Sequence, residues 1–251
     1  MVYGLEKFKE YFLEYSDQYV LIGGSACEIL CSNIDIEFRA TRDLDIVLII
    51  EALNANFISR FWKFINDGGY INKEKSSGGS QFYRFSNPKC NDYPFMIELF
   101  STKPDILELK ELSILTPLSI EDEIISLSAI LLNCEYYNLI FKGKTNVNGY
   151  SVLDFEYIIL FKIRAWLDLN RLKLSGSRID SKNINKHKND IFKLLTNFSG
   201  VKNISLSDII KKDVIDFINE IEKVGVDLKS IGIKKLKLEN YINQLKHIYS
   251  I

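Results

Sequence analysis

The sequence predicts an α+β (α/β) fold, in which a mixed β-sheet flanked by helices is followed by a C-terminal helical bundle. Short apolar runs alternate with segments of helical period in the first half of the chain. Beyond Thr116-Pro117, most of the apolar pattern has helical period. The 251 residues are 47% hydrophobic, which is enough for a full core. We therefore expect two domains, residues 1–117 and 118–251.

The elements of the first domain follow in order from the spacing of their apolar residues. The pattern predicts helices near 4–16 and 56–66, and strands at 19–22, 43–50, 81–85 and 95–101. Gly23 and Gly24 turn the chain after the first strand, and Ser25 is expected to cap the next helix. Turn-forming residues at 76–79 and 87–94 indicate loops between the later strands.

The second domain is expected to consist mainly of helices. Ser119 followed by Asp122 resembles a capping box at its start. A break at 142–149, with Asn148-Gly149 as its turn, precedes a long helix that begins near Asp154. The remaining helices are predicted at 184–198, 206–224 and 236–249.

Three acidic residues in the first domain form a candidate metal site. Asp43 and Asp45 are two apart, so on a strand they lie on one face with α-carbons about 6.6 Å apart. Glu98, within the apolar run 95–100, is the candidate for a third acid on a neighbouring strand. Carboxylate oxygens from several acids can hold two divalent cations about 3.5 to 4 Å apart.

Lys162 stands out in the helical half because it falls in the middle of an apolar helix face. A buried ammonium without a partner costs several kcal/mol, so a solvent-reaching stem, an ion pair or a phosphate contact is expected. The residue types leave these alternatives open. Arg164, Asp168 and Arg171 fall on the opposite face of the same helix, which is predicted to be solvated.

Composition and charge limit the remaining possibilities. The net charge is −1, so any contact with nucleic acid must come from local lysines such as Lys182, Lys186 and Lys188. The sequence has no apolar run of about 18 residues, so no membrane partner is expected, and a cytoplasmic location is predicted. Cys27 and Cys31 are four apart, as on one helix face, and are predicted to pack in the core.

Three short segments in order along the chain resemble the signatures of the DNA polymerase beta type nucleotidyltransferase superfamily. They are Gly23-Gly24-Ser25, Asp43-Leu44-Asp45 and Ile97-Glu98-Leu99. The longer wording at 23–26 and 39–45 is similar to the AbiEii/AbiGii toxin-like branch. Residues 160–165 and 186–191 also resemble later elements of that branch, a helix-borne lysine and a basic stretch ending in aspartate. The resemblance covers roughly residues 18 to 195 and implies a nucleotidyltransferase-type sheet followed by a helical domain that closes the active-site cleft.

The resemblance implies a binding site for the nucleotide built from both domains. Gly23 and Gly24 would let the backbone approach the triphosphate, and Ser25 would offer a hydroxyl and an amide at a helix N-terminus. Lys162 would neutralise phosphate charge as pyrophosphate leaves. Asp190 would organise the site from the helical half.

The same resemblance implies a metal-dependent reaction. Asp43 and Asp45 would hold two Mg²⁺ ions, with Mn²⁺ as the alternative metal, and Glu98 would bind the catalytic ion and help to activate the acceptor hydroxyl. The donor would be a nucleoside triphosphate (NTP), and a nucleoside monophosphate (NMP) would be transferred with release of pyrophosphate.

Three functions stay open at this point. The first is NMP transfer to an RNA end such as that of a tRNA, as a toxin of a toxin–antitoxin pair with a cognate antitoxin. The second is transfer to a small hydroxylated acceptor, as in antibiotic-modifying nucleotidyltransferases. The third is a non-catalytic module that binds a nucleotide or a partner protein.

Overall fold

The protein has the mixed α/β structure that the sequence predicts, in which helices flank a β-sheet. The computed structural model describes residues 3–39, 41–75, 81–102, 116–117, 130–131, 133–197, 203–234 and 236–251. These residues form two compact units, the first within Met1–Glu121 and Ile140–Asp154, the second within Asp122–Leu139 and Phe155–Ile251. The expected boundary after residue 117, the loop at 76–79 and the capping box at 119–122 lie at or beyond the edge of the described ranges and stay predictions.

Eight strands of the first unit form one mixed sheet. They are β1 (Tyr19–Leu21), β2 (Asp43–Leu48), β3 (Asn72–Lys75), β4 (Gln81–Ser86), β5 (Met96–Ser101), β6 (Thr116–Pro117), β7 (Lys144–Val147) and β8 (Tyr150–Leu153). Their order in the sheet is β6-β3-β4-β5-β2-β1-β8-β7. β2 runs parallel to β5 and antiparallel to β1, while β4 is antiparallel to β5. The four strands predicted at 19–22, 43–50, 81–85 and 95–101 are therefore neighbours in the centre of the sheet.

Three helices of the first unit are α1 (Leu5–Phe12), α2 (Gly23–Ser32) and α3 (Ala55–Gly68). The bounds of α3 have local causes: the Asn54 side chain accepts a hydrogen bond from the Phe57 amide, and Gly69 ends the helix at φ +63°. α1 and α3 pack together through aromatic rings, with the Phe12 and Phe64 centroids 5.4 Å apart. Aromatic side chains therefore fill the core beneath these two helices, as their helical spacing predicted.

β7 and β8 form a hairpin that the sequence analysis did not identify. Asn148 and Gly149 make its turn with φ values of 52° and 87°, and Leu21 of β1 pairs with Val152 of β8. The segment is short and its outer strand is polar, so apolar periodicity gave too little signal to assign strands. The predicted turn at Asn148-Gly149 is confirmed, but it joins two strands rather than separating two helices.

The second unit consists of helices in its described parts. Helix α4 (Cys134–Gly143) begins in this unit, and α5 (Phe155–Leu174), α6 (Ser181–Asn197), α7 (Asp208–Val224) and α8 (Leu238–Tyr249) follow. α5 packs against α6 and α7, and α8 packs against α6 and α7. All four later helices begin within a few residues of their predicted positions, because each carries a long apolar stripe.

The expectation that one face of α5 is solvated was wrong for Arg164 and Asp168, whose side chains are 28% and 19% exposed, whereas Arg171 is 52% exposed, as expected. Arg164 donates to Asp168 on the same helix at 2.9 Å and to both oxygens of Asp213 on α7 at 3.1 Å. The Tyr136 hydroxyl of α4 also donates to Asp213, at 2.8 Å. Because α7 packs over this side of α5, the charged residues there form a partly buried ion-pair cluster instead of a solvent-facing surface.

Cys27 and Cys31 are buried on α2, as predicted, whereas Cys134 is exposed. Burial raises the pKa of the Cys31 thiol to about 11, so this thiol stays protonated at neutral pH. Across the described ranges, no helix is both long enough and apolar enough to pass through a bilayer.

Candidate active site

The three predicted acids lie on one face of the central sheet. Asp45 of β2 is paired directly with Glu98 of β5, and Asp43 is paired with Met96 in the same parallel register. Residues that face each other on neighbouring strands point to the same side, and residues two apart on a strand do so as well. Asp43, Asp45 and Glu98 are therefore adjacent, because the register of β2 on β5 brings the two segments together.

The pKa of Glu98, in the middle of these side chains, is shifted by its surroundings. Burial raises its pKa above the usual range for a glutamate, and repulsion from Asp43 acts in the same direction. A hydrogen bond and the positive charge of Arg84, together with a side-chain hydrogen bond with Asp45, act against this rise. Carboxylates as close as those of Asp45 and Glu98 are stable together only when a proton or a cation lies between them.

The glycine turn lies directly against the acidic cluster. Gly23 has φ +62°, and a Cβ atom placed on it would stand 2.1 Å from Oδ2 of Asp45. A Cβ atom on Gly24 would stand 3.0 Å from Oγ1 of Thr41, in the segment that leads into β2. The Ile22 amide donates to the Asp45 carbonyl at 3.0 Å. Only glycine fits at residue 23, because both the left-handed backbone and the contact with Asp45 exclude a side chain.

Ser25 does not cap α2, so that expectation was wrong. The helix begins at Gly23, its N-cap position is Ile22, and the N-cap side chain makes no capping hydrogen bond. The buried Ser25 hydroxyl donates instead to the Ile22 carbonyl at 3.0 Å. The helix, which starts at Gly23 with its positive φ, therefore begins three residues earlier than a Ser25 cap would require. The first amides of α2 consequently belong to the two glycines beside Asp45, where a helix N-terminus attracts anions.

Replacing Gly23 with alanine is expected to lower both stability and activity. The left-handed backbone costs a residue with a Cβ atom about 1 to 2 kcal/mol, and the contact also displaces the Asp45 carboxylate. Gly232→Ala is the matched control, because Gly232 has φ +88° and an added Cβ there meets nothing within 4 Å. Thermal unfolding and the rate of the nucleotide transfer that the resemblance implies are measured for both variants. Equal losses of activity in the two would show that the contact with Asp45 has no role.

Lys162 and Asp190 both belong to the second unit and are bonded to each other. The Lys162 ammonium donates to Oδ2 of Asp190 at 2.8 Å, and the two side chains are 7% and 2% exposed. Of the alternatives stated for Lys162, the structure therefore contains an ion pair with an acid, formed where α6 packs on α5. A phosphate contact by Lys162 and a role for Asp190 in nucleotide binding stay predictions.

The donor atoms of the acidic cluster suit a hard divalent cation. Asp43, Asp45 and Glu98 offer carboxylate oxygens, the ligands that Mg²⁺ and Mn²⁺ prefer. Within the part of the chain that the structure describes, no three or more His, Cys, Asp or Glu side chains are arranged so that they could hold a metal ion. Metal binding therefore requires these carboxylates to turn toward a common point, and Glu98 would have to share its charge between the cation and Arg84.

Arg84 and Thr41 belong to this site and were not identified from the sequence. Arg84 faces Glu98 across β4 and β5, and Thr41 packs against Gly24. Strand β4 was predicted, but its register on β5 depends on the loop at 87–94 between them. The sequence of that loop does not reveal that Arg84 pairs with Glu98. Thr41 lay within a quoted motif, yet its contact arises only from the fold.

Comparisons with known proteins do not assign the chain to a family. No model of a known protein family matches it, and a search of curated proteins finds no match either.

Proposed function

We propose that this chain is a metal-dependent nucleotidyltransferase that moves an NMP from an NTP to a hydroxyl group. The observation that supports this most strongly is the direct pairing of Asp45 with Glu98, with the Gly23 turn packed against the Asp45 carboxylate. Carboxylates for cations and a helix N-terminus for phosphate oxygens are thus adjacent in one unit. The resemblance to the DNA polymerase beta superfamily and its AbiEii/AbiGii toxin-like branch supports the same reaction.

In the proposed reaction, the acceptor oxygen attacks the α-phosphorus, and the bond to the pyrophosphate oxygen breaks. Bound Mg²⁺ would neutralise the triphosphate charge and lower the pKa of the acceptor hydroxyl. Asp43 and Asp45 would hold the cations, and Glu98 would accept the hydroxyl proton. The pKa of Glu98 is raised by burial, which is the direction that favours its role as a proton acceptor. Amides at the start of α2 bind phosphate oxygens of the donor.

Lys162 and Asp190 enter the proposal through the resemblance. Lys162 would give positive charge to the leaving pyrophosphate, and Asp190 would hold the ammonium in place through their 2.8 Å bond. This assignment makes the second unit the helical domain of a nucleotidyltransferase.

For the acceptor, we propose an RNA end, with tRNA as the first candidate and a toxin as the biological role. Three lysines on α6 support this choice: Lys182 and Lys186 are exposed, and Lys188 is half-buried. Burial lowers the pKa of Lys188. Regulation by a cognate antitoxin is part of the same proposal and rests on the resemblance.

The test uses each of the four NTPs in α-labelled and γ-labelled form, with Mg²⁺ and total small RNA. Transfer of α-label, but not γ-label, into RNA is the expected result, because the NMP carries the α-phosphorus. Small hydroxylated compounds replace RNA in a parallel series, and label in one of them would identify the second class of acceptor. If the protein binds Mg²⁺–NTP but the NTP stays intact with every acceptor, the protein is a non-catalytic nucleotide-binding module.

A further inference from the structure

Arg84 occupies the position next to the acidic cluster on the side away from the glycine turn. β4 pairs with β5 in antiparallel register, and Arg84 lies directly opposite Glu98. Asp45 lies opposite Glu98 on the other side, in β2. Neighbouring strands are about 4.8 Å apart, so Asp45, Glu98 and Arg84 form a row across one face of the sheet. Glu98 therefore lies between the acidic side chain of Asp45 and the positively charged side chain of Arg84.

The contact between Arg84 and Glu98 is specific and shielded. The Nε and Nη2 groups of Arg84 donate to the same oxygen, Oε1 of Glu98, at 3.1 and 2.8 Å. The two side chains are only 14% and 13% exposed. Two donors from a planar guanidinium fix the carboxylate more tightly than one flexible ammonium could. On its other side, Glu98 shares a side-chain hydrogen bond with Asp45.

We propose that Arg84 is a positioning residue for Glu98, an inference that rests on the proposed nucleotidyltransfer. Arg84 holds Oε1, so that the Glu98 carboxylate stays on the acidic face beside Asp45. Held in this way, beside Asp45, the Glu98 carboxylate would be offered to a divalent cation and to the acceptor hydroxyl. Arg84 itself touches neither the donor nor the transferred phosphorus.

A positioning role and a purely structural ion pair predict different results. A structural pair affects folding, but leaves cation affinity unchanged in the molecules that fold. A positioning residue affects cation binding and the chemical step, and its effect disappears when Glu98 is also changed. Cation affinity and the separation of kcat from KM therefore distinguish the two roles.

The first experiment compares Arg84→Gln and Arg84→Lys with the wild type. For Arg84→Gln we expect kcat to fall about 10- to 100-fold and the affinity for Mn²⁺ to fall at least about tenfold. The KM for the NTP should stay within about twofold, because the contacts with the donor are unchanged. Arg84→Lys keeps the positive charge but loses the planar guanidinium with its two donors. We therefore expect kcat and Mn²⁺ affinity between those of Arg84→Gln and the wild type. Mn²⁺ binding is measured without nucleotide by the paramagnetic resonance signal of the free ion.

Arg60→Gln is the matched control in the same unit. The Arg60 guanidinium lies 5.9 Å from the centre of the Tyr11 ring, and its loss should change neither kcat nor Mn²⁺ affinity. Thermal unfolding is recorded for every variant, and Mn²⁺ affinity is calculated for the folded fraction. The double variant Arg84→Gln with Glu98→Gln removes both charges, so it remains measurable even if Arg84→Gln alone folds poorly.

The result that would overturn the proposal is wild-type kcat and Mn²⁺ affinity in Arg84→Gln. A loss of Mn²⁺ affinity from Arg84→Gln that is equally large in the Glu98→Gln background would also overturn it, because Arg84 would then not act through Glu98. Failure of the proposed function has a different signature. In that case no NTP donates its label, while Arg84→Gln still weakens Mn²⁺ binding and the positioning role stands.

Discussion

Replacing Asp45 with asparagine is expected to reduce nucleotide transfer by about 1000-fold or more while leaving the fold intact. Asparagine keeps the size of the side chain but removes the negative charge that would hold a cation beside Glu98 in the proposed mechanism. Loss of several kcal/mol of charge stabilisation in the transition state corresponds to a rate loss of about this size. Asp43→Asn should have an effect of the same order, since both carboxylates lie on the face that Glu98 occupies. The initial rate of α-label transfer is the measurement.

The pKa of Glu98 gives an independent check on the closeness of the carboxylates. Asp43 raises the pKa of Glu98 by repulsion, so Asp43→Asn should lower that pKa. Asp92→Asn is the matched control, because Asp92 is 64% exposed in the same unit and should keep the wild-type rate. An Asp45→Asn protein that retains more than about a tenth of the wild-type rate would contradict the metal-binding role.

Replacing Asp190 with alanine is expected to lower the free energy of unfolding by about 3 to 5 kcal/mol, the largest single effect on stability that we predict. The change would leave the Lys162 ammonium, 7% exposed, without its 2.8 Å acidic partner. An unpaired buried charge is far more costly than the pair is favourable. Denaturant unfolding followed by circular dichroism measures the loss.

Two further variants separate the charge effect from other causes. The double variant Lys162→Met with Asp190→Leu should recover most of the lost stability, because apolar side chains of similar size replace a buried ion pair with little cost. Lys212→Met breaks an ion pair with Asp216 of nearly the same length, 2.9 Å, whose lysine is 73% exposed, and should cost less than about 1 kcal/mol. An Asp190→Ala protein as stable as Lys212→Met would show that the buried pair is not what holds α5 to α6.

The same double variant also tests the role of Lys162 in catalysis. If Lys162 gives charge to the leaving pyrophosphate, the recovered protein folds and remains inactive. If Lys162 serves only the packing of α5 on α6, activity returns with stability.

Much of the candidate site could be predicted because its residues are close in sequence or follow a period. Asp43 and Asp45 share a face simply because strand side chains alternate, and the two glycines follow directly from β1. Glu98 was expected from its place in an apolar run. Its pairing with Asp45 could not be predicted from the sequence. The register of two parallel strands depends on the long chain segment that connects them and on the packing of both faces of the sheet.

The errors in the sequence analysis have the same physical origin. Ser25 was assigned as a cap from residue type, but the backbone of Gly23 starts the helix earlier and so uses the serine hydroxyl within the turn. Arg164 was assigned to solvent from the period of one helix, but α7 covers that side and supplies Asp213. A helical wheel describes a helix in isolation, whereas burial is decided by its neighbours.

The sequence by itself determined the four central strands and most of the helices, the candidate residues for metal and phosphate chemistry, and that Lys162 falls on an apolar helix face. These follow from local periodicity, residue chemistry and the cost of a buried charge. Only the tertiary structure decided that Glu98 pairs with Asp45 and Arg84, that Asp190 is the partner of Lys162, and that the 144–153 hairpin extends the sheet. These depend on contacts between residues distant in the chain, which are selected by the packing of the whole unit rather than by local sequence.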